Sequence, residues 1–368
     1  MAAGIKGISY ILAAELCIAL LCPLPASAQT AAVTVDAAME HQAIKGGGTT
    51  FGFEGSPLPI PLADLADQVY SLGFRLVRVE HGNCLEQTND DADPLTFNWA
   101  SFDAQFATAD NILLASKTMQ DAGLELWTEP LTMPSWMCSS GTRYFDSTIP
   151  GIYDELAEYW AAWLLYAQTN YGVNYPYLSL ENEPDCPGCW TEWAADEIRD
   201  GIKAIGSRLS TEGITTRIIT PNTMFASSSR TFLQTVLSDP AAISYLAANV
   251  YHAYDNNSIR NGPDVIVTDI QNFAADGLVQ SSGLPIWETE WTLWYDKRNE
   301  AYCHTLRYAL DHAKFVHYCY AEGRCSIATG EGIQYGKDIG IFGPGLGDGG
   351  AKLKKVGHAI TQYHRFIE

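Results

Sequence analysis

The chain has 368 residues, of which 47% are hydrophobic and 18% are charged, and its formal net charge is −21. A surface this acidic repels nucleic acid and anionic membranes, so neither is expected as a partner. It also disfavours a strongly anionic polysaccharide as a ligand, unless one basic cleft overrides the average charge.

The first 28 residues have the pattern of a secretory signal peptide. Lys6 precedes an apolar run from Ile8 to Leu21, and Ala26-Ser27-Ala28 has the small residues of a cleavage site. The apolar run is short for a membrane span, and no later stretch is long and apolar enough to be one. We therefore expect cleavage after Ala28 and a soluble, secreted protein, extracellular or periplasmic. Residues 29–368 are expected to form one catalytic domain.

The rest of the chain repeats a unit of strand, polar loop, helix and glycine. Short apolar runs predict eight strands: Thr50–Phe53, Leu76–Val79, Leu124–Trp127, Tyr177–Leu180, Arg217–Thr220, Ala248–Tyr251, Pro285–Thr289 and Cys325–Ala328. Amphipathic patterns predict eight helices: Leu62–Leu72, Ala107–Ala122, Ile152–Tyr171, Trp190–Glu212, Ser229–Ser238, Ile266–Asp276, Glu300–Glu322 and Ala351–Phe366. Six of these helices are followed by a glycine that is expected to close them: Gly73, Gly123, Gly172, Gly213, Gly277 and Gly323.

This alternation, with no internal break in composition, predicts an α/β fold of one (β/α)8 TIM barrel. An open doubly wound sheet is the rival fold. Such a sheet usually carries a glycine-rich phosphate loop after its first strand, whereas Gly46–Gly48 precede the first predicted strand. The pattern therefore favours the barrel.

Two predicted strands deliver carboxylates to their C-terminal ends, where the active sites of barrels lie. The strand beginning at Tyr177 runs into Glu181, Asn182 and Glu183, and the stretch PIWETEW carries Glu288 and Glu290. Two carboxylates about 5 Å apart, one protonated and one ionised, are what retaining cleavage of a glycosidic bond requires.

Position along each strand selects the pair. Residues two apart on a strand share a face, so strand alternation does not distinguish Glu183 from Glu181 or Glu290 from Glu288. Glu183 and Glu290 are chosen because each lies nearer the C-terminal rim. Glu129 also ends a predicted strand and is a competitor.

Two of the nine cysteines lie in the signal peptide, and the odd number left implies an unpaired thiol or an intermolecular bond. Cys84 and Cys138 follow neighbouring strands and can bridge their loops. Cys186 and Cys189 form a CPGC loop after the acid cluster. We expect a disulfide there rather than zinc, because no second pair or nearby histidine accompanies it.

Several segments resemble those of a known enzyme group. They are VTVD (33–36), HQAIKGGGTTF (41–51), LVRVEHG (76–82), TMPSWM (132–137), YLSLENEPD (177–185), GITTRIITPNT (213–223), NVYHAY (249–254), PIWETEW (285–291) and AITQYHRFIE (359–368). On these motifs the chain resembles the clan A retaining glycoside hydrolases, most closely glycoside hydrolase family 30, over nearly all of the mature sequence.

The resemblance implies roles for individual side chains. It makes Glu183 the general acid/base and Glu290 the nucleophile. It implies substrate-binding residues around them, namely Asn182 at the sugar 2-hydroxyl, Arg78 and Tyr254 beside the nucleophile, and His252, Trp136 and Trp291 in the cleft. It implies no metal and no cofactor, and we expect a monomer.

Two departures from the family concern substrate and extent. The sequence stops at Glu368, where the family's C-terminal β-sandwich would begin, so we expect that sandwich to be absent or truncated. The eighth strand, CSIATGEG, lacks a tryptophan that many relatives use as a sugar platform. We expect hydrolysis of a β-linked glucan, galactan or xylan, with endo action favoured by the long loops. The alternatives are an exo-acting β-glucosidase, β-xylosidase or glucosylceramidase, and a non-catalytic carbohydrate-binding barrel.

Overall fold

The computed structural model describes residues 38–51, 62–81, 85–293, 303–333, 340–344 and 351–366. The chain divides at Gln42 into two compact units, Met1–His41 and Gln42–Glu368, and the fold described here is that of the second. The expected signal peptide and its cleavage site lie outside the described residues, as does Cys84.

Eight parallel strands close into a barrel in chain order, with the first strand paired to both the second and the eighth. They are β1 Gly46–Phe51, β2 Phe74–Glu80, β3 Glu125–Glu129, β4 Tyr177–Leu178, β5 Arg217–Thr223, β6 Leu246–His252, β7 Ile286–Glu290 and β8 Cys325–Gly332. The predicted (β/α)8 TIM barrel is confirmed, and the doubly wound alternative is wrong.

Helices connect the strands. The longer ones are α1 Leu62–Ser71, α2 Trp99–Phe106, α3 Asp110–Asp121, α4 Ile152–Tyr171, α5 Ala195–Thr211, α6 Ala226–Val236, α7 Val267–Ala274, α8 Leu306–Ala321 and α9 Lys355–His364. Single-turn or slightly longer helices occupy Pro240–Ile243, Ser258–Asn261 and Gly277–Ser281. The helix α2 was not predicted, and α5 begins five residues later than predicted. In the described part of the chain, no helix combines the length and the apolar character that a membrane crossing requires.

The first strand begins four residues earlier than predicted, so Gly46–Gly48 lie inside it. A side chain at Gly47 would place its Cβ 2.0 Å from Nδ1 of His364, and one at Gly48 would lie 2.0 Å from the hydroxyl oxygen of Thr329. These glycines therefore allow close packing of β1 against its neighbours, which outweighs their low preference for strands.

The predicted helix ends are confirmed in part. Gly73, Gly123, Gly172 and Gly213 have positive φ, as helix-closing glycines do. The prediction is wrong for Gly277, which is the first residue of a short helix, and for Gly323, whose φ is not positive.

The C-terminal segment also differs from its prediction. Ala351–Leu353, predicted as helix, form a strand, β10, that pairs antiparallel with β9, Phe342–Pro344. Residues 345–350, between these two strands, lie outside the described part.

The hydrophobic core has two parts. The larger joins the helices to the outside of the barrel. The smaller contains side chains of six strands, which can meet only inside the barrel: Leu76, Trp127, Ile219, Ala248, Val250, Trp287 and Ile327. Arg78 and Glu129 follow Leu76 and Trp127 by two residues, so they occupy the next layer towards the C-terminal ends of the strands. The apolar layer is thus the floor on which the polar layer lies.

The close contact of α5 with Tyr245 predicts that an alanine in place of Gly206 destabilises the protein. Gly206 lies within α5, and a Cβ there would be 2.2 Å from Cγ of Tyr245. Gly206→Ala should therefore lower the free energy of unfolding by about 1–2 kcal/mol, because overpacking exceeds the gain in helix propensity. Gly277→Ala is the matched control, since nothing lies within 4 Å of its Cβ. Urea unfolding measures both, and equal effects would contradict the packing explanation.

Candidate active site

The two predicted glutamates meet at the C-terminal end of the barrel. Glu183 follows β4, and Glu290 is the last residue of β7. Three atoms lie within 4.8 Å of one another: one carboxylate oxygen of Glu183, one of Glu290 and a ring nitrogen of His252. Two acids that are distant in sequence are thus brought to contact range across the mouth of the barrel.

Glu290 has cationic and hydrogen-bonding partners. Its Oε2 accepts a hydrogen bond from Nη1 of Arg78, and its Oε1 accepts one from the hydroxyl of Tyr254 at 2.8 Å. Burial raises the pKa of Glu290, but Arg78, then His252 and Tyr254, outweigh burial and lower it to about 2. The side chain is 29% exposed, so an ionised carboxylate faces the cavity.

Arg78 is completely buried and its guanidinium contacts four side chains. Nε donates to Oε1 of Glu129 at 2.6 Å, and Nη2 donates to Oδ1 of Asn182 at 2.7 Å. Nη1 lies 3.1 Å from Oε1 of Glu80 and also reaches Glu290. Burial lowers the pKa of Arg78, but the surrounding carboxylates raise it well above its ordinary value. The cation is therefore permanent, and its planar fork sets the positions of its partners.

Glu129, the competitor for a catalytic role, is fully buried and fully engaged. Besides Arg78, it accepts hydrogen bonds from the indole of Trp127 at 3.1 Å and from Nδ2 of Asn222 at 2.8 Å. It is not among the residues that line the cavity. Glu129 is thus placed to orient Arg78 and Asn222 rather than to contact a ligand.

Glu183 has a different environment from Glu290. The indole of Trp190 donates to its Oε2 at 3.1 Å, and Nδ1 of His252 lies 3.1 Å from its Oε1. Its backbone N–H donates to the carbonyl of Asn222 at 2.9 Å, and both residues have positive φ, 47° and 46°. Such backbone conformations cost on the order of 1–3 kcal/mol for residues other than glycine. The fold therefore holds this carboxylate at the expense of local backbone strain.

Asn222 determines the protonation pattern of His252. The Oδ1 atom of Asn222 accepts from the hydroxyl of Thr289 at 2.6 Å and lies 3.1 Å from Nε2 of His252. Because Nδ2 of Asn222 donates to Glu129, Oδ1 is the atom that faces the imidazole. Nε2 of His252 must therefore carry a proton that it donates to Asn222.

The other ring nitrogen then faces Glu183 with either a proton or a lone pair. Burial lowers the pKa of His252, but the charge of Glu290 and the hydrogen bond and charge of Glu183 raise it above the ordinary value. The two carboxylates therefore favour the charged form of the imidazole, in which Nδ1 donates to Oε1 of Glu183.

The neighbouring glutamates are not in the cavity. Glu181 is 1% exposed and accepts from Thr220 at 2.8 Å, and burial raises its pKa well above the ordinary value. Glu288 is fully buried and accepts from the backbone N–H groups of Glu290 and Thr329, each at 2.9 Å. Burial likewise raises the pKa of Glu288 well above the ordinary value.

A cavity of about 400 Å³ lies over the two glutamates. It is lined by Thr50, Arg78, Glu80, Glu183, Cys189, Trp190, Met224, Tyr254, Ile259, Glu290, Trp291, Thr292, Gly330 and Gly332. Asn182 and His252 do not line this cavity, but each is buried and contacts a residue that does, Arg78 and Glu183 respectively.

The two tryptophans expected in the cleft are placed differently. Trp136 does not line this cavity. Its indole donates to the carbonyl of Glu86, a residue of the loop after β2, at 3.1 Å. Trp291 contributes an edge to the cavity but is 1% exposed, stacked on Phe315 with ring centroids 4.0 Å apart. Its large surface is therefore part of the core.

Three residues of the site were not identified from the sequence: Glu80, Trp190 and Asn222. Glu80 lies two residues after Arg78 on β2, so the strand period alone places it on the same face. Burial raises the pKa of Glu80 to about 7, with Arg78 lowering it and Glu290 raising it. Trp190 lies in the loop after β4 and Asn222 lies near the end of β5, and no local pattern distinguishes either residue.

The cysteine loop beside Glu183 contains a disulfide between Cys186 and Cys189, as predicted. These sulfurs are close to Glu183 but are not available as thiolate ligands for a metal. The suggested bridge from Cys138 is not formed, because Cys138 is a buried free thiol. Glu183, His252 and Glu290 have donor atoms at metal-ligand spacing, yet the guanidinium of Arg78 already neutralises Glu290.

Comparisons with known proteins give structural relatives only. The chain matches no family model and no curated protein. A family 30 subfamily 8 xylanase from Clostridium acetobutylicum is 21% identical with a TM-score of 0.62, covering 90% of this chain and 73% of that one. A family 30 xylanase catalytic domain from Talaromyces cellulolyticus is 18% identical with a TM-score of 0.63, covering 89% and 77%. An endo-β1,6-glucanase is 16% identical with a TM-score of 0.66, covering 93% and 80%. These likenesses show a shared fold.

The buried pair of Arg78 and Glu129 predicts strong coupling in stability. Arg78→Met should lower the free energy of unfolding by about 3–5 kcal/mol, because it leaves Glu129 buried without its cation. Adding Glu129→Gln should recover part of that loss, since the amide carries no charge. A double-mutant cycle by urea unfolding measures the coupling. Additive effects of the two substitutions would contradict the arrangement described.

Proposed function

We propose that the protein is a retaining β-glycosidase that hydrolyses a β-linked polysaccharide. In this proposal Glu290 is the nucleophile and Glu183 is the general acid/base. Arg78 and Tyr254 hold the nucleophile, and Asn182 presents its amide N–H group to the sugar 2-hydroxyl. The reaction uses these side chains and water, without a metal or cofactor.

The observation that carries the proposal is the spacing of the two acids. An oxygen of Glu183 lies within 4.8 Å of an oxygen of Glu290. Retaining enzymes hold their carboxyl groups about 5–5.5 Å apart, whereas inverting enzymes separate them by about 6.5–9.5 Å to admit a water molecule. The close spacing supports direct attack by one carboxylate and therefore net retention.

The first step forms a covalent intermediate. The carboxylate of Glu290 attacks the anomeric carbon, the bond from that carbon to the glycosidic oxygen breaks, and the oxygen takes the proton of Glu183. In the second step water loses a proton to Glu183 and its oxygen attacks the same carbon. The bond to Glu290 breaks, and both glutamates return to their starting states.

The environments of the two acids support this division of roles. Arg78 and Tyr254 lower the pKa of Glu290 to about 2 against the effect of burial, so it is ionised and able to attack. Glu183 is buried between Trp190 and His252, and the imidazole is placed to pass a proton to it. As Glu290 loses its charge in the first step, His252 and Glu183 lose a neighbouring anion, which assists transfer of the proton to the leaving oxygen.

The substrate class rests on the structural relatives and on the cavity. The relatives are named as xylanases and as an endo-β1,6-glucanase, and we propose xylan or a β-glucan for this protein. Gly330 and Gly332 of β8 line the cavity, so an aromatic platform must come from elsewhere, and the partly exposed Trp190 is placed to provide it. We further propose endo action by a secreted monomer whose signal peptide is removed after Ala28.

Substitution of the two glutamates should separate their roles. Glu290→Gln should abolish hydrolysis, because an amide cannot form the glycosyl ester. Glu183→Gln should lower kcat/KM on polysaccharide by about 10²–10⁴. With a dinitrophenyl glycoside, whose leaving group needs no proton, the first step should stay near the wild-type rate in Glu183→Gln. Steady-state and burst kinetics measure these effects.

Glu181→Gln is the matched control, because Glu181 is equally buried and near in sequence but does not line the cavity. It should retain activity within a few-fold. Hydrolysis at the wild-type rate by both Glu183→Gln and Glu290→Gln would contradict the proposal. A wild-type protein that binds but does not cleave any member of a panel of xylans, β-glucans and β-galactans would identify a binding protein instead. Product lengths from the panel distinguish endo from exo action.

Removal of the Tyr254 hydroxyl should change the pH profile. Tyr254→Phe removes one of the hydrogen bonds that keep Glu290 ionised, so the pKa of Glu290 rises. Protonated Glu290 cannot attack, and the acid limb of kcat/KM should therefore move to higher pH, by about 1–2 units for a hydrogen bond to a charged group. The profile of initial rates against pH measures the shift. An acid limb identical to that of the wild type would exclude Tyr254 as a partner of the reacting carboxylate.

A further inference from the structure

An acidic cluster lies between the loop that follows β2 and helix α4. Asp90 belongs to the loop, and Glu155 and Glu158 belong to the first two turns of α4. One oxygen from each of these three residues lies within 4.8 Å of the other two. Ca²⁺ binds oxygen at about 2.3–2.6 Å, so two ligands of one ion can be as much as about 5 Å apart. The three oxygens therefore have the spacing of ligands to one cation.

The cluster contains a buried carboxylate without a partner. Glu158 is 1% exposed, and its Oε1 has no hydrogen-bond partner in the structure. The Oδ1 atom of Asp90 is also buried and without a partner. Burial disfavours the ionised form of such a carboxylate unless a cation or a hydrogen-bond donor compensates its charge.

Nearby cations in the described part of the chain do not neutralise the cluster. Among the described residues, no lysine, arginine or histidine forms an ion pair with Asp90, Glu155 or Glu158. Arg208 acts on Glu158 from a distance, but it pairs with Glu212 at 2.8 Å. The remaining neighbours are mostly acids. Burial, then the charges of Asp90 and Glu155, raise the pKa of Glu158 to about 8.

A fourth acid adds to the negative charge. Glu86 is 2% exposed and its Oε1 accepts from the backbone N–H of Asp90 at 3.0 Å. Burial raises the pKa of Glu86 to about 9, with Asp90 and Glu158 contributing to the rise. The loop and the helix thus hold four acidic side chains in one place, where burial and proximity disfavour ionisation of all four.

We propose that Asp90, Glu155 and Glu158 bind one Ca²⁺ ion that fastens the loop after β2 to α4. The donor set contains only oxygen, which suits hard cations and not zinc, whose protein ligands are mainly nitrogen and sulfur. Ca²⁺ accepts irregular arrangements of carboxylates completed by water, whereas Mg²⁺ demands a near-ideal octahedron. None of the three residues lines the cavity over Glu183 and Glu290, so this site is separate from the proposed function.

The hydrogen bonds around the cluster indicate what the ion would stabilise. Oδ2 of Asp90 accepts from the backbone N–H of Asn98 at 3.0 Å, which closes the loop on itself. The carbonyl of Glu86 in the same loop accepts the indole N–H of Trp136, which follows β3. A bound Ca²⁺ would therefore join the loops after β2 and β3 to the start of α4.

The test uses the full chain after treatment with a chelator and dialysis. Calorimetric titration with CaCl₂ should give one ion per chain. Thermal unfolding at a Ca²⁺ concentration about 100 times the dissociation constant should raise Tm by about 3–8 °C. The absence of binding heat together with an unchanged Tm would overturn the proposal. A response to MgCl₂ equal to that with CaCl₂ would overturn the assignment to Ca²⁺.

Two variants connect the response to the cluster. Glu158→Gln and Asp90→Asn should each abolish the shift in Tm with CaCl₂. Glu158→Gln should be about as stable as the chelated wild type, because burial already disfavours the charge that the amide removes. Glu181→Gln is the matched control, since Glu181 is also 1% exposed with one unpartnered oxygen but is not part of such a cluster. It should keep the full shift. If either cluster variant responded like the wild type, the ion would bind elsewhere and the proposal would be wrong.

Discussion

The polar layer of the barrel depends on the guanidinium of Arg78. This one cation is buried among side chains from four strands or their C-terminal ends: Glu80, Glu129, Asn182 and Glu290. A buried cation is costly unless its partners are in place, and these partners meet only when the barrel is closed. The geometry of the site is therefore tied to the completion of the fold. The rigid fork of arginine, which lysine lacks, also fixes the plane in which Glu290 lies.

Two identical side chains differ in chemistry because their neighbours differ. Glu290 faces a cation and a phenol, whereas Glu183 faces an indole and an imidazole. The first set favours the ionised form of Glu290, and the second places a titratable imidazole against Glu183. Asn222 connects the two halves, because it fixes the Nε2 proton of His252 and also binds Glu129, the partner of Arg78. The strained backbone at Glu183 holds its carboxylate close to that of Glu290.

The sequence was sufficient for the barrel and for the positions of Glu183 and Glu290, because strands, helices and strand ends are encoded by local patterns. It was insufficient where a residue acts through contacts made only in three dimensions. Asn222 and Trp190 have no periodic signal, and the cluster of Asp90, Glu155 and Glu158 joins segments that are far apart in sequence. Local propensity was misleading at Gly46–Gly48: glycine disfavours strands, yet close packing places these glycines inside β1.

The central claim is that Glu290 forms a covalent bond with the sugar, and trapping that bond tests it most directly. If the proposed reaction occurs, a fluorinated aryl glycoside of the cleaved sugar should inactivate the protein, because the fluorine slows hydrolysis of the intermediate more than its formation. Mass spectrometry of the digested protein should then find one added sugar on the peptide that contains Glu290. A label on Glu183 or Glu80, or hydrolysis with inversion and no label, would contradict the account.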